Sequence, residues 1–215
     1  MGDEIRMDSI IRVSATIPVC VPGAPEDCLP GILESVKQAA ALGSDLIVLP
    51  ALALGGASCG SLLQHSAVLE AADRALTVLA KKTANINAYL VVGLPVRPTS
   101  YAHPACTILH HGRVLDTVPA LDSQAAKADF TAWENAGLAC PYTLYRCGSL
   151  RFSVLSCHPD RLALYAPNAV AAGAQLLVVP CCVPVRAGSI ARWKRQASAL
   201  SHALGCGIVL VKGGA

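Results

Sequence analysis

The sequence predicts an α/β fold, an αββα sandwich in which two mixed sheets pack together between layers of helices. Three observations predict it. Short apolar runs bounded by turn residues alternate with segments of helical period. Hairpin signals interrupt that alternation in the middle of the chain. Buried apolar strands require cover on both faces, helices on one side and a second apolar layer on the other.

Each element follows in order. Ile10 to Pro18 reads as a strand, with Ile11, Val13, Ala15 and Ile17 alternating with Arg12, Ser14 and Thr16. After a Pro/Gly/Asp loop, Asp27 stands as a helix cap, and Leu29, Ile32, Leu33, Val36, Ala39 and Ala40 recur at helical spacing until Gly43. Asp45 to Pro50 is a buried strand, Leu62 to Asn85 a second helix, and Tyr89 to Leu94 another buried strand. Pro104 to His110 and Val114 to Val118 form a hairpin around the turn His111-Gly112-Arg113. A polar, Ala-rich connection covers Leu121 to Cys140. Strands are then expected at Tyr142 to Arg146, Leu150 to Ser156, Gln175 to Val179 and Gly207 to Lys212. Helices are expected at Asp160 to Ala172, where Pro167 marks a dent or early end, and at Ser189 to Leu204.

Composition bounds the function. The 215 residues suit a single domain spanning 1–215 with a core large enough to fold without staples. With 53% hydrophobic and 14% charged residues, the chain is not disordered. A net charge of +3 and 4% aromatics argue against nucleic acid as a partner. Two uncharged stretches, Leu46–Leu69 and Leu162–Val185, are long enough to cross a bilayer, but prolines, glycines and amides interrupt them. They read as buried strand–turn–helix segments, so no membrane partner is expected. The acidic start, Met1-Gly-Asp-Glu, lacks the basic stretch of a signal peptide, and the expectation is a cytoplasmic chain.

Ten cysteines in such a chain imply reduced thiols, most of them small core residues. No pair has zinc-ligand spacing, and His65, His103 and His202 have no partner at such spacing, so no metal is expected. Arg186, Arg192, Lys194 and Arg195 read as the exposed face of the last helix.

Five strings carry a family resemblance: Asp45-Leu-Ile-Val-Leu-Pro50, Val91-Val-Gly-Leu-Pro95, Gly112-Arg-Val-Leu-Asp-Thr-Val-Pro119, Phe152-Ser-Val-Leu-Ser-Cys157 and Ala172-Gly-Ala-Gln-Leu-Leu-Val-Val179. In order and rough spacing they resemble the nitrilase (carbon–nitrogen hydrolase) superfamily. Cys59-Gly-Ser-Leu-Leu-Gln64 and the end, Arg195 to Gly214, are most similar to the glutaminase domain of glutamine-dependent NAD synthetases. The resemblance covers about Arg12 to Gly214 and implies the nitrilase-like form of the sandwich, here C-terminally shortened.

The family's chemistry uses a cysteine that attacks an amide carbon, a glutamate that moves protons, and a lysine that holds the oxyanion. Carried onto this chain, the cysteine is Cys157, the candidate nucleophile. Ala51 occupies the glutamate position and Ala120 the lysine position. His158 stands where an acidic residue follows the cysteine. Ala57 replaces a pocket tyrosine, and Val183 and Ser189 replace the serine and arginine that recognise glutamine. No Gly-rich phosphate loop is present, so no cofactor is expected. The resemblance thus implies a domain related to the ammonia-supplying part of NAD biosynthesis, its amidase activity impaired or absent, retained for assembly or binding. The alternative is a weak or altered thiol amidase or glutaminase using Cys157 beside a separate synthetase chain. A homo-oligomer is the expected assembly.

Overall fold

A computed structural model describes residues 10–98, 100–121, 137–138 and 142–213. Most of the expected connection from Leu121 to Cys140 lies outside the described residues.

The first half builds a sheet of order β1-β2-β3-β4-β5 from Val13–Ala15, Leu46–Val48, Tyr89–Val96, His103–His110 and Arg113–Pro119. Its first three strands run parallel, and β4 and β5 return antiparallel. The second half builds β6-β7-β8-β9 from Tyr145–Cys147, Leu150–Val154, Leu176–Cys181 and Gly207–Lys212. Here β6 is antiparallel to β7, and β7, β8 and β9 run parallel. Both sheets are therefore mixed, as expected.

The period of two decides which residue faces which layer. Leu46, Val48, Val91, Cys106, Ile108 and Val118 of one sheet meet Phe152, Val154, Leu176, Val178 and Val211 of the other in a single apolar interior. The alternate residues Ile47, Leu49, Leu90, Val92 and Leu94 face outward under α1 (Pro25–Ala41) and α2 (Ser66–Lys82). On the other side Leu155, Leu177 and Val179 face α3 (Leu162–Ala171) and join Ile208 and Leu210 in the layer under α4 (Ser189–Leu204). The layers are α, β, β, α.

Several local expectations are corrected. Asp27 does not cap α1: the helix starts at Pro25 after Ala24, and Asp27 sits in its first turn, where a carboxylate favours the helix dipole. The second helix begins at Ser66, not Leu62, because a 3-10 segment, Ala57–Gln64, comes first and breaks at Gly60. The third opens as a 3-10 turn, Pro159–Arg161, and its helix runs through Pro167 to Ala171. The hairpin turn is two residues, His111 and Gly112, both with positive φ (48° and 72°), the geometry that matches strand twist. A side chain at Gly112 would run into Ala84 at 2.8 Å, so glycine lets the hairpin tip rest on the end of α2. Among the described residues, no helix is long and apolar enough to cross a membrane.

Candidate active site

Three chain segments that are far apart in sequence end at one place. The first is the turn after β2. Leu49 N–H donates to Val91 O at 2.9 Å and Leu54 N–H to Gly93 O at 2.8 Å, so the turn Pro50–Leu54 lies flat against β3. A Cβ at position 93 would sit 2.3–2.4 Å from Leu52 N, Ala51 Cα and Pro50 O. Only glycine permits that approach. The turn is tight enough to hold Leu52 at φ 59°, and it presents Ala51.

The second segment is the end of β5. Ala120 N–H donates to Pro104 O at 2.9 Å, and Leu121 N–H donates to Ser156 O at 2.8 Å. That second bond joins the first sheet to the end of β7 in the other and sets Ala120 near Cys157. The third segment is the end of β7 itself, where Leu155 N–H donates to Val178 O at 2.8 Å and the strand gives way to the turn that starts α3.

Ala51, Ala120 and Cys157 line one cavity of about 230 Å³, with the rings of Pro104 and Pro180, Val183, Ser156, His158 and the adjacent thiols of Cys181 and Cys182. Of the positions singled out from sequence, the structure thus brings together Ala51, Ala120, Cys157, His158 and Val183. Ala57 and Ser189 are not among its lining. Ser189 is buried at the start of α4, its hydroxyl accepting from Arg186 N–H at 3.1 Å. The cysteine pair was missed as part of the site because a strand-end Cys-Cys looks like packing. The signal was its position after Pro180, at the same sheet end as Cys157.

Electrostatics here is set by burial. Burial pushes the Cys181 thiol up to about 12 and the Cys182 thiol up to about 11, with Lys212 pulling both down. Behind them Cys106, fully enclosed, is pushed up to about 12 by burial, a hydrogen bond with Ser156 opposing the shift. These three are neutral thiols at physiological pH. Cys157 is only 4% exposed. His158 is tied into the following turn: its Nδ1 accepts from Asp160 N–H at 3.2 Å, and its ring meets Trp193 edge-on at 6.0 Å. Asp160 in turn accepts from Arg192 Nη2 at 2.8 Å and Trp193 Nε1 at 2.9 Å, which pins the turn after Cys157 to α4. Among the described residues lining the cavity there is no carboxylate, lysine or arginine. No group of metal-ligating side chains occurs among the described residues.

The two stacked sheets between helical layers, with a cysteine at the end of β7, define a class. The chain has the fold of the nitrilase-superfamily amidases. The NitN amidase from Nesterenkonia sp. AN1 superposes with a TM-score of 0.76 over 95% of this chain and 78% of its own, at 19% identity. Other structures of that amidase, in two variants of one glutamate, show acrylamide added to its active site cysteine or the acetamide moiety of fluoroacetamide bound there. In sequence the chain is similar to glutamine-dependent NAD(+) synthetase over about half its length. The enzyme of that name from Mycobacterium tuberculosis is 30% identical over 109 residues, 51% of this chain but only 16% of the relative. The one from Cytophaga hutchinsonii superposes with a TM-score of 0.73 over 94% of this chain and 36% of its own, at 17% identity. No protein-family model matches the chain. The resemblance read from the sequence is borne out as a likeness: the chain shares the fold of the nitrilase-superfamily amidases and is similar over about half its length to glutamine-dependent NAD(+) synthetase, of which it spans only a small part.

Proposed function

We propose that this chain is a nitrilase-like domain that has kept the site's thiol and lost amide hydrolysis, and that it serves in binding or assembly. One observation carries the reading. The cavity that holds Cys157 is faced by the methyl groups of Ala51 and Ala120, the positions that the family resemblance assigns to the proton-moving glutamate and the oxyanion-holding lysine. Removing an oxyanion donor costs about 10²–10³ in rate, and removing a general acid–base typically about 10²–10⁴. The two losses need not multiply, yet either one leaves a feeble enzyme. A methyl group neither donates a hydrogen bond nor carries a proton. The shared fold does not replace them, because chemistry resides in the site.

Ammonia release tests the reading. Purified protein incubated with glutamine, asparagine and simple aliphatic amides is expected to release no more ammonia than the Cys157→Ala variant. Turnover that disappears with Cys157→Ala overturns the proposal.

A second reading, a weak or altered thiol amidase or glutaminase, is favoured by the survival of Cys157 in the cavity wall. It draws support from the Nesterenkonia amidase, whose cysteine still forms covalent adducts in glutamate variants. This reading predicts that a glutamine-like electrophile labels Cys157 faster than the other nine cysteines, as read by peptide mass spectrometry. Equal labelling removes its support. In either reading the expected setting is a homo-oligomer in the cytoplasm, working beside a separate synthetase chain.

A further inference from the structure

Three thiols gather where the loop between β1 and α1 meets the turn after β2. Cys20 lies in that loop, Cys28 in the first turns of α1, and Cys59 in the 3-10 segment Ala57–Gln64. The Cys20 thiol hydrogen-bonds the Cys28 thiol, and Cys59 is close enough to act on both through its charge. Their other contacts fasten the loop to the turn that presents Ala51. Cys20 Sγ donates to Ala53 O at 3.4 Å. Gly23 N–H donates to Cys59 Sγ at 2.8 Å and to Gly55 O at 2.9 Å. A side chain at Gly56 would stand 2.8 Å from Pro22 Cα, so loop and turn lie in direct contact. Val21 N–H donates to Cys28 Sγ at 3.1 Å. Cys28 and Cys59 are buried, whereas Cys20 is partly open to solvent.

We propose that Cys20 and Cys28 form a redox modification site, which a small-molecule disulfide converts to an intramolecular disulfide, and that the change loosens the turn carrying Ala51. Access and contact divide the roles. Cys20, the thiol that solvent reaches, attacks as its thiolate one sulfur of the reagent. The reagent's S–S bond breaks, and one half leaves as a thiolate that takes up a proton. Cys28 then gives its proton to water and attacks the Cys20 sulfur of the mixed disulfide, displacing the second half. Val21 N–H steadies the Cys28 sulfur as it gains charge. Two protein thiols are oxidised and one disulfide is reduced to two thiols, so a reducing thiol reverses the sequence. Bonded to Cys28, Cys20 has no S–H to donate, and Ala53 O loses that partner. Burial, and after it the neighbouring Cys28, push the Cys20 thiol up to about 11, so the exchange is slow at neutral pH and quickens as pH rises. The proposal is independent of what the thiol cavity does.

The test holds the full chain in mixtures of oxidised and reduced glutathione at mildly alkaline pH, quenches by alkylation and reads the cysteine peptides by mass spectrometry. A disulfide between Cys20 and Cys28 is expected at the oxidising end and is expected to disappear with dithiothreitol. Cys59→Ser is expected to leave it in place. Cys28→Ser is expected to stop at a glutathione adduct on Cys20, and Cys20→Ser to leave Cys28 unmodified. Cys20→Ser, at a partly exposed position, decides the matter where Cys28→Ser fails to fold. In the oxidised chain, amide exchange in residues 53–56 is expected to quicken by about threefold or more. Free Cys20 and Cys28 at the most oxidising ratio overturn the proposal. So does pairing of Cys20 with any other cysteine, a disulfide that forms only in urea, or unchanged exchange in residues 53–56.

Discussion

On the outer face of the β1–β5 sheet, α1 and α2 bury Cys28, Ile32, Val36, Ala72, Ala75 and Leu79, each no more than 1% exposed. On the outer face of the β6–β9 sheet, α3 buries Leu162, Ala166 and Ala169, while α4 leaves Ile190 exposed and Ile208 and Leu210 of β9 half-buried. Both helix pairs are amphipathic and cover sheets of similar kind. The difference is in depth: α1 and α2 each bury an apolar stripe, whereas α4 buries only Ser189 and Trp193 of its own residues.

Point variants measure this contrast directly. Leu79→Ala removes a fully buried side chain from α2 and is expected to cost about 2–5 kcal/mol in urea unfolding. Ile190→Ala on α4 is expected to cost below about 1 kcal/mol. Similar costs for the two would erase the contrast. Next in size is Gly93→Ala. Its Cβ has no room against the turn that carries Ala51, so the turn must shift at a cost of about 1–3 kcal/mol. A wild-type unfolding midpoint for that variant would show that the turn does not rest on β3.

The smallest effect concerns pH. Burial raises Cys106 from an ordinary 9.0 to about 12, so the folded state holds its proton more tightly than the unfolded state. Such a group contributes stability that is intact below pH 9.0 and is lost as pH rises toward about 12. Urea midpoints are therefore expected to fall above pH 9, and Cys106→Ala to flatten that slope. An unchanged slope in the variant would assign the loss to other groups.

How much of this was legible in the sequence depends on the range of the interaction. Ser189–Leu204 and Gly207–Lys212 stand where period and turn residues place them, because local pattern and burial agree there. Asp27 misled because capping residues are equally at home in a first turn, and Pro25 had already set the start. The expected helix starts four residues early, at Leu62 instead of Ser66, because Leu62 and Leu63 at the end of the 3-10 segment continue the apolar spacing. The meeting of Ala51, Ala120 and Cys157 was reachable only through the family resemblance, since no local rule brings together positions so far apart in sequence.

The central claim is that two methyl groups stand where hydrolysis needs a proton carrier and an oxyanion donor. Restoring both groups tests it most directly, by comparing ammonia release from glutamine and simple amides by the wild-type chain and by Ala51→Glu with Ala120→Lys. The account predicts a wild-type rate at background and a gain of roughly 10²-fold or more in the double variant, abolished by adding Cys157→Ala. A wild-type rate that already equals that of the double variant, and that vanishes with Cys157→Ala, would contradict it.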